Sequence, residues 1–259
     1  MRAALFQFAV TGDIKKNTEK IKQAVLKAAE NEADFIAFPE CAISGYPPTD
    51  LPSSKDFDLE ALPAVLSELQ ELSDAHKITI LVGSIAFDEK YVNRAFLIAP
   101  KRDIEHYDKR ALYGWDSENF ARGNDDGIFE INGLKVGVRI CFEARFPEYF
   151  RELYKENTDL NVVIFYAVSD FDDTEKYNVL RSHLISRAAE NVTPIFAVNA
   201  ITPFQSCPTA FINASGRVLA ETTRNTEELL IVDFEKAELN FGELGRKKES
   251  DYILSTLEK

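Results

Sequence analysis

Apolar and polar residues alternate along this chain with two periods, which predict strands and helices in turn. Short runs rich in Val, Ile and Phe are typical of buried strands. Runs in which apolar residues return every three or four positions are typical of helices that pack one face on a sheet. The predicted strands lie at residues 3–8, 34–38, 78–82, 94–99, 106–108, 128–131, 135–140, 162–166, 194–198, 209–212, 217–220 and 229–234. The predicted helices lie at residues 18–31, 63–77 and 175–191, with a further helix that starts near Pro147.

This order of elements favours mixed sheets that are covered by helices on their outer faces. Helices and strands alternate in both halves, and a hairpin is predicted across Asn132-Gly133. The pattern alone leaves an α/β and an α+β arrangement open. No linker, repeat or low-complexity tract divides the 259 residues, and 45% hydrophobic content is enough for a sizeable core. We therefore expect a single domain over residues 1–259.

Composition excludes several classes of partner. The formal charge of -13 opposes binding to nucleic acid and to anionic membranes. The amino terminus turns polar after about ten residues, so no transmembrane segment is expected there. The cysteines, Cys41, Cys141 and Cys207, form no CxxC pair, and the three histidines lie far apart in sequence. We therefore expect a protein of the reducing cytoplasm without disulfides, metal or cofactor.

The stretch LKVGVRICFEARFPE, residues 134–148, places Cys141 where a strand gives way to a helix. The strand stops at the cysteine, and Pro147 suits the first turn of the helix that follows. Such a bend exposes a side chain at the sheet edge and leaves backbone N–H groups free to bind an anion. Taken alone, Cys141 is either a buried packing residue or a nucleophile.

Two charged residues occupy similar positions, which favours the nucleophile. Glu40 follows the predicted strand at 34–38, and Lys109 follows the one at 106–108. Reacting groups of α/β proteins gather where strands end in loops. A carboxylate can take the proton of a thiol, and an ammonium group stabilises the thiolate. Cys41 should face away from Glu40 because side chains alternate along extended backbone, so we interpret Cys41 as structural.

Four segments resemble the nitrilase superfamily of carbon-nitrogen hydrolases: FIAFPE, DKRALYGWDSENFARG, VGVRICFEARFPE and SRAAENVTPIFAVNA. The resemblance extends over residues 2–233. It implies a catalytic triad of Glu40, Lys109 and Cys141, with Glu118 as a second carboxylate beside it. It also implies a four-layer α-β-β-α sandwich of two mixed sheets, and homodimers or larger assemblies.

In the mechanism expected for such a site, Cys141 attacks an amide or nitrile carbon. The negative charge that develops on the substrate is met by the backbone N–H of Phe142 and by the Lys109 ammonium. Ammonia or an amine leaves with a proton from Glu40, and a thioester remains. Glu40 then activates the water that hydrolyses the thioester.

Residues that would recognise the substrate are less well defined by the sequence. Tyr46 in the loop SGYPPTDL and Asn199 after a strand are candidates; this loop resembles that of the glutaminase domains of NAD synthetases. Arg145 either pairs with Glu143 or binds a substrate carboxylate. The family pattern has a His where this chain has Ala111. A cationic substrate or a solvated loop would each explain three further acidic residues, Asp170, Asp172 and Asp173.

We therefore expect a cytoplasmic, cofactor-free thiol hydrolase that releases ammonia from a small linear amide. One alternative is an N-carbamoyl amine or amino-acid hydrolase, which would release carbon dioxide along with ammonia. Nitrile hydrolysis is less favoured. A hypothesis of another class is a catalytically silent binding or scaffold protein that kept the fold.

Overall fold

A computed structural model describes residues 1–257 of the chain, and its strands form two six-stranded sheets and one small ribbon. The strands are β1 (Arg2–Gln7), β2 (Phe35–Ala37), β3 (Thr79–Phe87), β4 (Tyr91–Ile98), β5 (Glu105–Asp108), β6 (Ile128–Ile131), β7 (Leu134–Ile140), β8 (Leu160–Phe165), β9 (Val168–Ser169), β10 (Ile195–Asn199), β11 (Phe204–Gln205), β12 (Ala210–Ile212), β13 (Val218–Glu221) and β14 (Glu228–Asp233). The helices are α1 (Ile14–Glu30), α2 (Leu62–His76), α3 (Trp115–Asn119), α4 (Pro147–Lys155), α5 (Thr174–Asn191) and α6 (Phe241–Leu257).

Both large sheets are mixed. The first has the strand order β14-β1-β2-β3-β4-β5, with β1, β2 and β3 parallel. The second has the order β13-β12-β10-β8-β7-β6, with β7, β8 and β10 parallel. The remaining pairs of neighbours are antiparallel. Because the parallel strands in each sheet end on the same side, the loops that follow them gather at one edge.

Side-chain alternation in the strands divides the buried apolar residues into three clusters. Ala3 and Leu5 pack between the two sheets, whereas Ala4 and Phe6 face α1 and α2. On the other side of the molecule, the second sheet packs on α4 and α5 through a separate cluster. The layers are therefore helix, sheet, sheet and helix, and the four-layer sandwich implied by the resemblance is confirmed.

Most predicted elements are present, with ends shifted by a few residues. Helix α1 starts four residues before its predicted start because Asp13 caps it, accepting hydrogen bonds from the backbone N–H groups of Lys15 and Lys16. The prediction also had no element after residue 234, whereas α6 forms there. Its apolar side chains are scattered and largely exposed, so they give no amphipathic stripe.

The start of α6 nevertheless has a signal in the sequence. The Asn240 side chain accepts from the Glu243 backbone N–H at 3.0 Å, and the Glu243 carboxylate accepts from the Asn240 N–H at 2.9 Å. This reciprocal pair is a capping box. None of the helices described within residues 1–257 has the length and apolar character that a membrane span needs.

Candidate active site

The three residues of the predicted triad leave from the ends of β2, β5 and β7, and the structure brings them together. The Lys109 Nζ lies 2.7 Å from Glu40 Oε1. The Cys141 thiol faces the Glu40 carboxylate and the backbone N–H of Tyr166, and both affect its pKa. Glu40 and Lys109 are almost fully buried, whereas Cys141 is partly exposed. The arrangement places a carboxylate between an ammonium group and a thiol.

Cys141 lies at a sharp turn between β7 and a 3₁₀ turn, Cys141–Arg145. Its backbone φ is 48°, in the left-handed region that residues other than glycine rarely adopt. The turn ends the strand abruptly, so the side chain projects from the sheet edge. The N–H of Phe142 lies in the first turn of the 3₁₀ segment, where backbone donors have no acceptor within the helix. Within residues 1–257, no hydrogen bond of this N–H is found outside the helices and strands, so it is a candidate donor for a group bound at Cys141.

The electrostatics of the site keep the thiol protonated and the lysine charged. Burial raises the pKa of Cys141 far above its ordinary value, and the Glu40 charge adds to the shift, although Lys109 opposes it. Burial alone would lower the pKa of Lys109, but Glu40, Tyr46, Cys141 and Asp116 together raise it well above its ordinary value. The thiol therefore needs a base to become a nucleophile, and Glu40 is the carboxylate in contact with it.

The second carboxylate beside the lysine is Asp116, not Glu118 as predicted. Asp116 is buried, and its Oδ2 lies 2.7 Å from Lys109 Nζ. Glu118 is exposed on the same short helix, α3. Residues two positions apart in a helix are about 200° apart around its axis, so they face opposite sides. Once Asp116 faces the lysine, Glu118 must face away.

Tyr46 supports the lysine from the other side. Its hydroxyl donates to Asp116 Oδ1 at 2.6 Å, and its ring lies 5.8 Å from Lys109 Nζ and stacks on Tyr166 at 4.8 Å. The hydroxyl was a candidate for contact with substrate, but its hydrogen is directed to Asp116. Tyr46 thus holds the Asp116 carboxylate in position, and Asp116 in turn holds the Lys109 ammonium.

Comparison with known proteins decides the family. Residues 2–240 match the family model described as "Carbon-nitrogen hydrolase". The chain belongs to the carbon-nitrogen hydrolase family. It is therefore a hydrolase that acts on C–N bonds.

Curated relatives of this carbon-nitrogen hydrolase differ in length. It is 29% identical to the 2-oxoglutaramate amidase of Bacillus subtilis, over 94% of this chain and 93% of the relative. It is also 29% identical to the glutamine-dependent NAD(+) synthetase of Synechocystis sp., over 95% of this chain but only 48% of that protein. Among solved structures, an amidase from Nesterenkonia sp. superimposes with a TM-score of 0.78 at 22% identity, over 98% of this chain and 96% of that one. This structural likeness shows the shared fold.

Glu143 has a different role in this hydrolase from the one favoured by its sequence position. It does not pair with Arg145. Its buried carboxylate accepts from the backbone N–H of Ile140 at 2.7 Å, from that of Arg110 at 2.7 Å, and from the Tyr107 hydroxyl at 2.8 Å. Glu143 thus joins the turn that carries Cys141 to the segment that carries Lys109. Arg145 is exposed, with its guanidinium 5.7 Å from the centre of the Phe142 ring.

Two other predictions for the substrate side are changed by the structure. Asn199 is the last residue of β10, and its amide bonds the backbone of Ala167 and Cys207. It therefore holds the loop after β8. Of the three loop aspartates, Asp172 pairs with Arg224 at 2.7 Å and Asp173 caps α5, which leaves Asp170 as an exposed residue.

Sequence reasoning missed Asn93, which touches two members of the triad. Its Nδ2 donates to Glu40 Oε1 at 2.7 Å, and its backbone carbonyl accepts from the Lys109 N–H at 2.9 Å. No motif marks it, and it lies one residue before the strand predicted at 94–99. The only signal is that Asn93 and Arg94 are two adjacent polar residues in β4, whose other residues are apolar or aromatic.

Substitution of Gly83 is expected to displace Glu40. A Cβ at Gly83 would lie 2.5 Å from the Cys41 nitrogen and 2.8 Å from the Glu40 Cα, so the backbone carrying Glu40 must move. We expect Gly83→Ala to lower stability by about 1–3 kcal/mol and catalytic rate by roughly 10²-fold. Denaturant titration and steady-state kinetics measure both effects.

The matched control is Gly245→Ala in α6, where nothing lies within 4 Å of the added Cβ. We expect this variant to keep full activity and to gain up to about 1 kcal/mol of stability. A Gly83→Ala protein with wild-type kinetics would show that the close approach of β3 does not set the position of Glu40.

Proposed function

We propose that this hydrolase cleaves the amide bond of a small linear primary amide through a thioester on Cys141, and releases ammonia. The observation that carries the proposal is the contact of the Glu40 carboxylate with both the Lys109 ammonium and the Cys141 thiol. The names of two relatives, 2-oxoglutaramate amidase and the amidase from Nesterenkonia sp., support the choice of an amide.

The reaction begins with transfer of the thiol proton to Glu40. The sulfur attacks the carbonyl carbon, and the carbonyl oxygen becomes an oxyanion. An ammonium group has three N–H donors, and Lys109 directs two of them to Glu40 and Asp116. The third is available for the oxyanion, together with the N–H of Phe142.

In the second half of the reaction, the Glu40 carboxyl group first donates its proton and then accepts another. The proton on Glu40 passes to the amide nitrogen, the C–N bond breaks, and ammonia leaves. Water then loses a proton to Glu40 and attacks the thioester carbon, and the C–S bond breaks to release the acid. The proton returns to the sulfur, so that the cycle closes without a cofactor.

For the acyl side of the substrate, we propose that Arg145 binds a carboxylate. Its guanidinium is exposed next to Phe142, the residue that follows the nucleophile. Among the described residues, Arg145 forms no ion pair, so its charge is available. A bidentate contact of a guanidinium with a carboxylate would favour amides that carry a second, acidic end.

A panel of substrates tests this function. It contains an amide with a terminal carboxylate, such as succinamate, an uncharged amide of similar size, an N-carbamoyl amine and a nitrile, with ammonia release as the readout. We expect succinamate to be turned over fastest, and Arg145→Gln to raise its KM without changing that of the uncharged amide. Carbon dioxide released with ammonia would indicate the carbamoyl alternative. Mass spectrometry of the acid-quenched enzyme should detect the acyl group on Cys141.

The proposal includes the state of the protein in the cell. We infer that residues 1–259 act as one domain, in the cytoplasm, and as a homodimer or larger homo-oligomer. Exposed aromatic side chains such as Tyr113, Phe146 and Phe171 support an assembly. Light scattering coupled to size-exclusion chromatography should give a mass of at least twice the 29.2 kDa of one chain, and a mass of one chain would contradict the assembly.

The roles of Asp116 and Glu118 can be separated by a pair of variants. Asp116→Asn removes the charge that faces Lys109, so we expect kcat to fall by roughly 10- to 100-fold. Glu118→Gln changes an exposed side chain on the opposite face of α3, and we expect kcat within about twofold of wild type. Steady-state kinetics of the two variants and the wild type measure kcat in each case. Equal losses in the two variants would contradict the assignment of Asp116.

A further inference from the structure

The Glu40 carboxylate has three hydrogen-bond donors that are fixed by the fold. Oε1 accepts from Asn93 Nδ2 and from Lys109 Nζ, each at 2.7 Å. Oε2 accepts from the backbone N–H of Tyr166 at 2.8 Å. A carboxylate has about four acceptor positions, two on each oxygen. Both positions of Oε1 are filled, so the one that remains is on Oε2.

The remaining acceptor position is the one that the thiol proton needs. Cys141 faces the Glu40 carboxylate and the same Tyr166 N–H that bonds Oε2. The acceptor position that Asn93 and Lys109 leave open is therefore the one available to the thiol. Without Asn93, one position on Oε1 becomes free, and the carboxylate loses a contact that opposes its rotation.

We propose that Asn93 is a positioning residue of the reaction, whose side-chain amide holds Glu40 so that Oε2 faces the Cys141 thiol. This inference rests on the proposed function, since it takes Glu40 as the base. The backbone of Asn93 also holds Lys109, through the hydrogen bond from the Lys109 N–H to its carbonyl. One residue of β4 therefore positions both the base and the cation.

The hydrogen bond from Asn93 to Glu40 leaves another polar atom of Asn93 without a partner. The residue is fully buried, and its Oδ1 has no hydrogen-bond partner among the described residues. An unsatisfied buried acceptor lowers the stability of the fold. An apolar residue of similar size would avoid this cost in the strand. The amide is therefore explained by what its Nδ2 does for Glu40 rather than by the stability of β4.

A variant without the donor should change the pH dependence of the site. Loss of a hydrogen bond to a carboxylate favours its protonated form. The site of such a variant would then remove the thiol proton only at a higher pH. In the wild type and in the variant, the ionisable groups close enough to Glu40 to interact with its charge are Lys109, Cys41, Cys141, Tyr46 and Tyr166, with Asp116 beyond the lysine.

The test uses Asn93→Leu, with Asn93→Ala as a second variant should the first fold poorly. The rate of Cys141 alkylation by iodoacetamide is measured against pH, which requires no substrate. The other two cysteines are fully buried and should stay unlabelled in the folded protein. We expect the acid limb of the profile to move up by about one pH unit, a roughly tenfold lower rate at a fixed pH on that limb. The acid limb of kcat/KM for succinamate should move in the same direction.

The matched control is Asn17→Leu. Asn17 is as buried as Asn93, but it bonds Thr11 and the Ile43 carbonyl and no side chain of the triad. We expect it to lower stability and to leave the acid limb unchanged. An unchanged limb in both Asn93 variants, or an equal shift in Asn17→Leu, would overturn the inference. If alkylation shifts as expected but no compound in the panel releases ammonia, Asn93 still positions the base that activates Cys141, and it is the proposed amide hydrolysis that fails.

Discussion

Replacement of Cys141 by Ala is expected to reduce turnover by on the order of 10⁴- to 10⁶-fold, because no other group in the site can form the thioester. The thiol is protonated in the resting site, since burial and the charge of Glu40 raise its pKa. The site is arranged to remove that proton and to hold the resulting thiolate beside Lys109. With the sulfur gone, Glu40 and Lys109 retain their contact but have nothing to activate except water.

The measurement combines ammonia release with labelling of the thiol. Wild-type protein should take up one iodoacetamide per chain and lose activity in proportion, whereas Cys141→Ala should take up none while folded. The control is Cys207→Ala, which removes a fully buried thiol from the cluster between the second sheet and its helices. We expect this control to lose about 1 kcal/mol of stability and to keep its turnover. Appreciable turnover by Cys141→Ala would rule out a mechanism that passes through a thioester on Cys141.

Replacement of Lys109 by Met is expected to damage both stability and activity. The ammonium lies 2.7 Å from each of two buried carboxylates, Glu40 and Asp116, and removing it leaves both charges uncompensated. Breaking a buried pair in this way costs roughly 3–5 kcal/mol. Turnover should fall by about 10³-fold or more, because the oxyanion also loses a donor. Denaturant unfolding and ammonia release at pH 7 test the two effects.

The pH dependence of this stability loss has a definite sign. The pKa of Lys109 is raised well above its unfolded value of about 10.5. Its contribution to folding is therefore fully present below about pH 10.5 and is lost as the pH rises through the higher folded value. The gap in stability between wild type and Lys109→Met should stay constant from pH 7 to about pH 10 and narrow above that range.

An exposed ion pair supplies the control for Lys109. Lys22 lies 2.7 Å from Glu68 at the surface, and Lys22→Met should cost at most about 1 kcal/mol because water screens the pair. Equal losses of stability in Lys109→Met and Lys22→Met would show that the buried network is not held by its central cation.

The sequence itself determined most strands and helices and marked Cys141 as the candidate nucleophile, because the physical signals for both are local. The hydrophobic periods of strands and helices can be read from consecutive residues. Cys141 stands out because it follows a predicted strand and precedes a predicted helix. The order of four motifs then identified the family and located Glu40 and Lys109. Each follows a strand directly, so its position at the sheet edge could be inferred from short segments alone.

Only the tertiary structure decided which neighbours complete the site. Asp116 and Glu118 have the same chemistry two residues apart, and the packing of α3 on Lys109 selects between them. Asn93 and Glu143 act on groups that are distant in the chain, Glu40 and Arg110, through single hydrogen bonds. Such contacts leave no periodic pattern, because they depend on which strands become neighbours and on how closely two sheets pack.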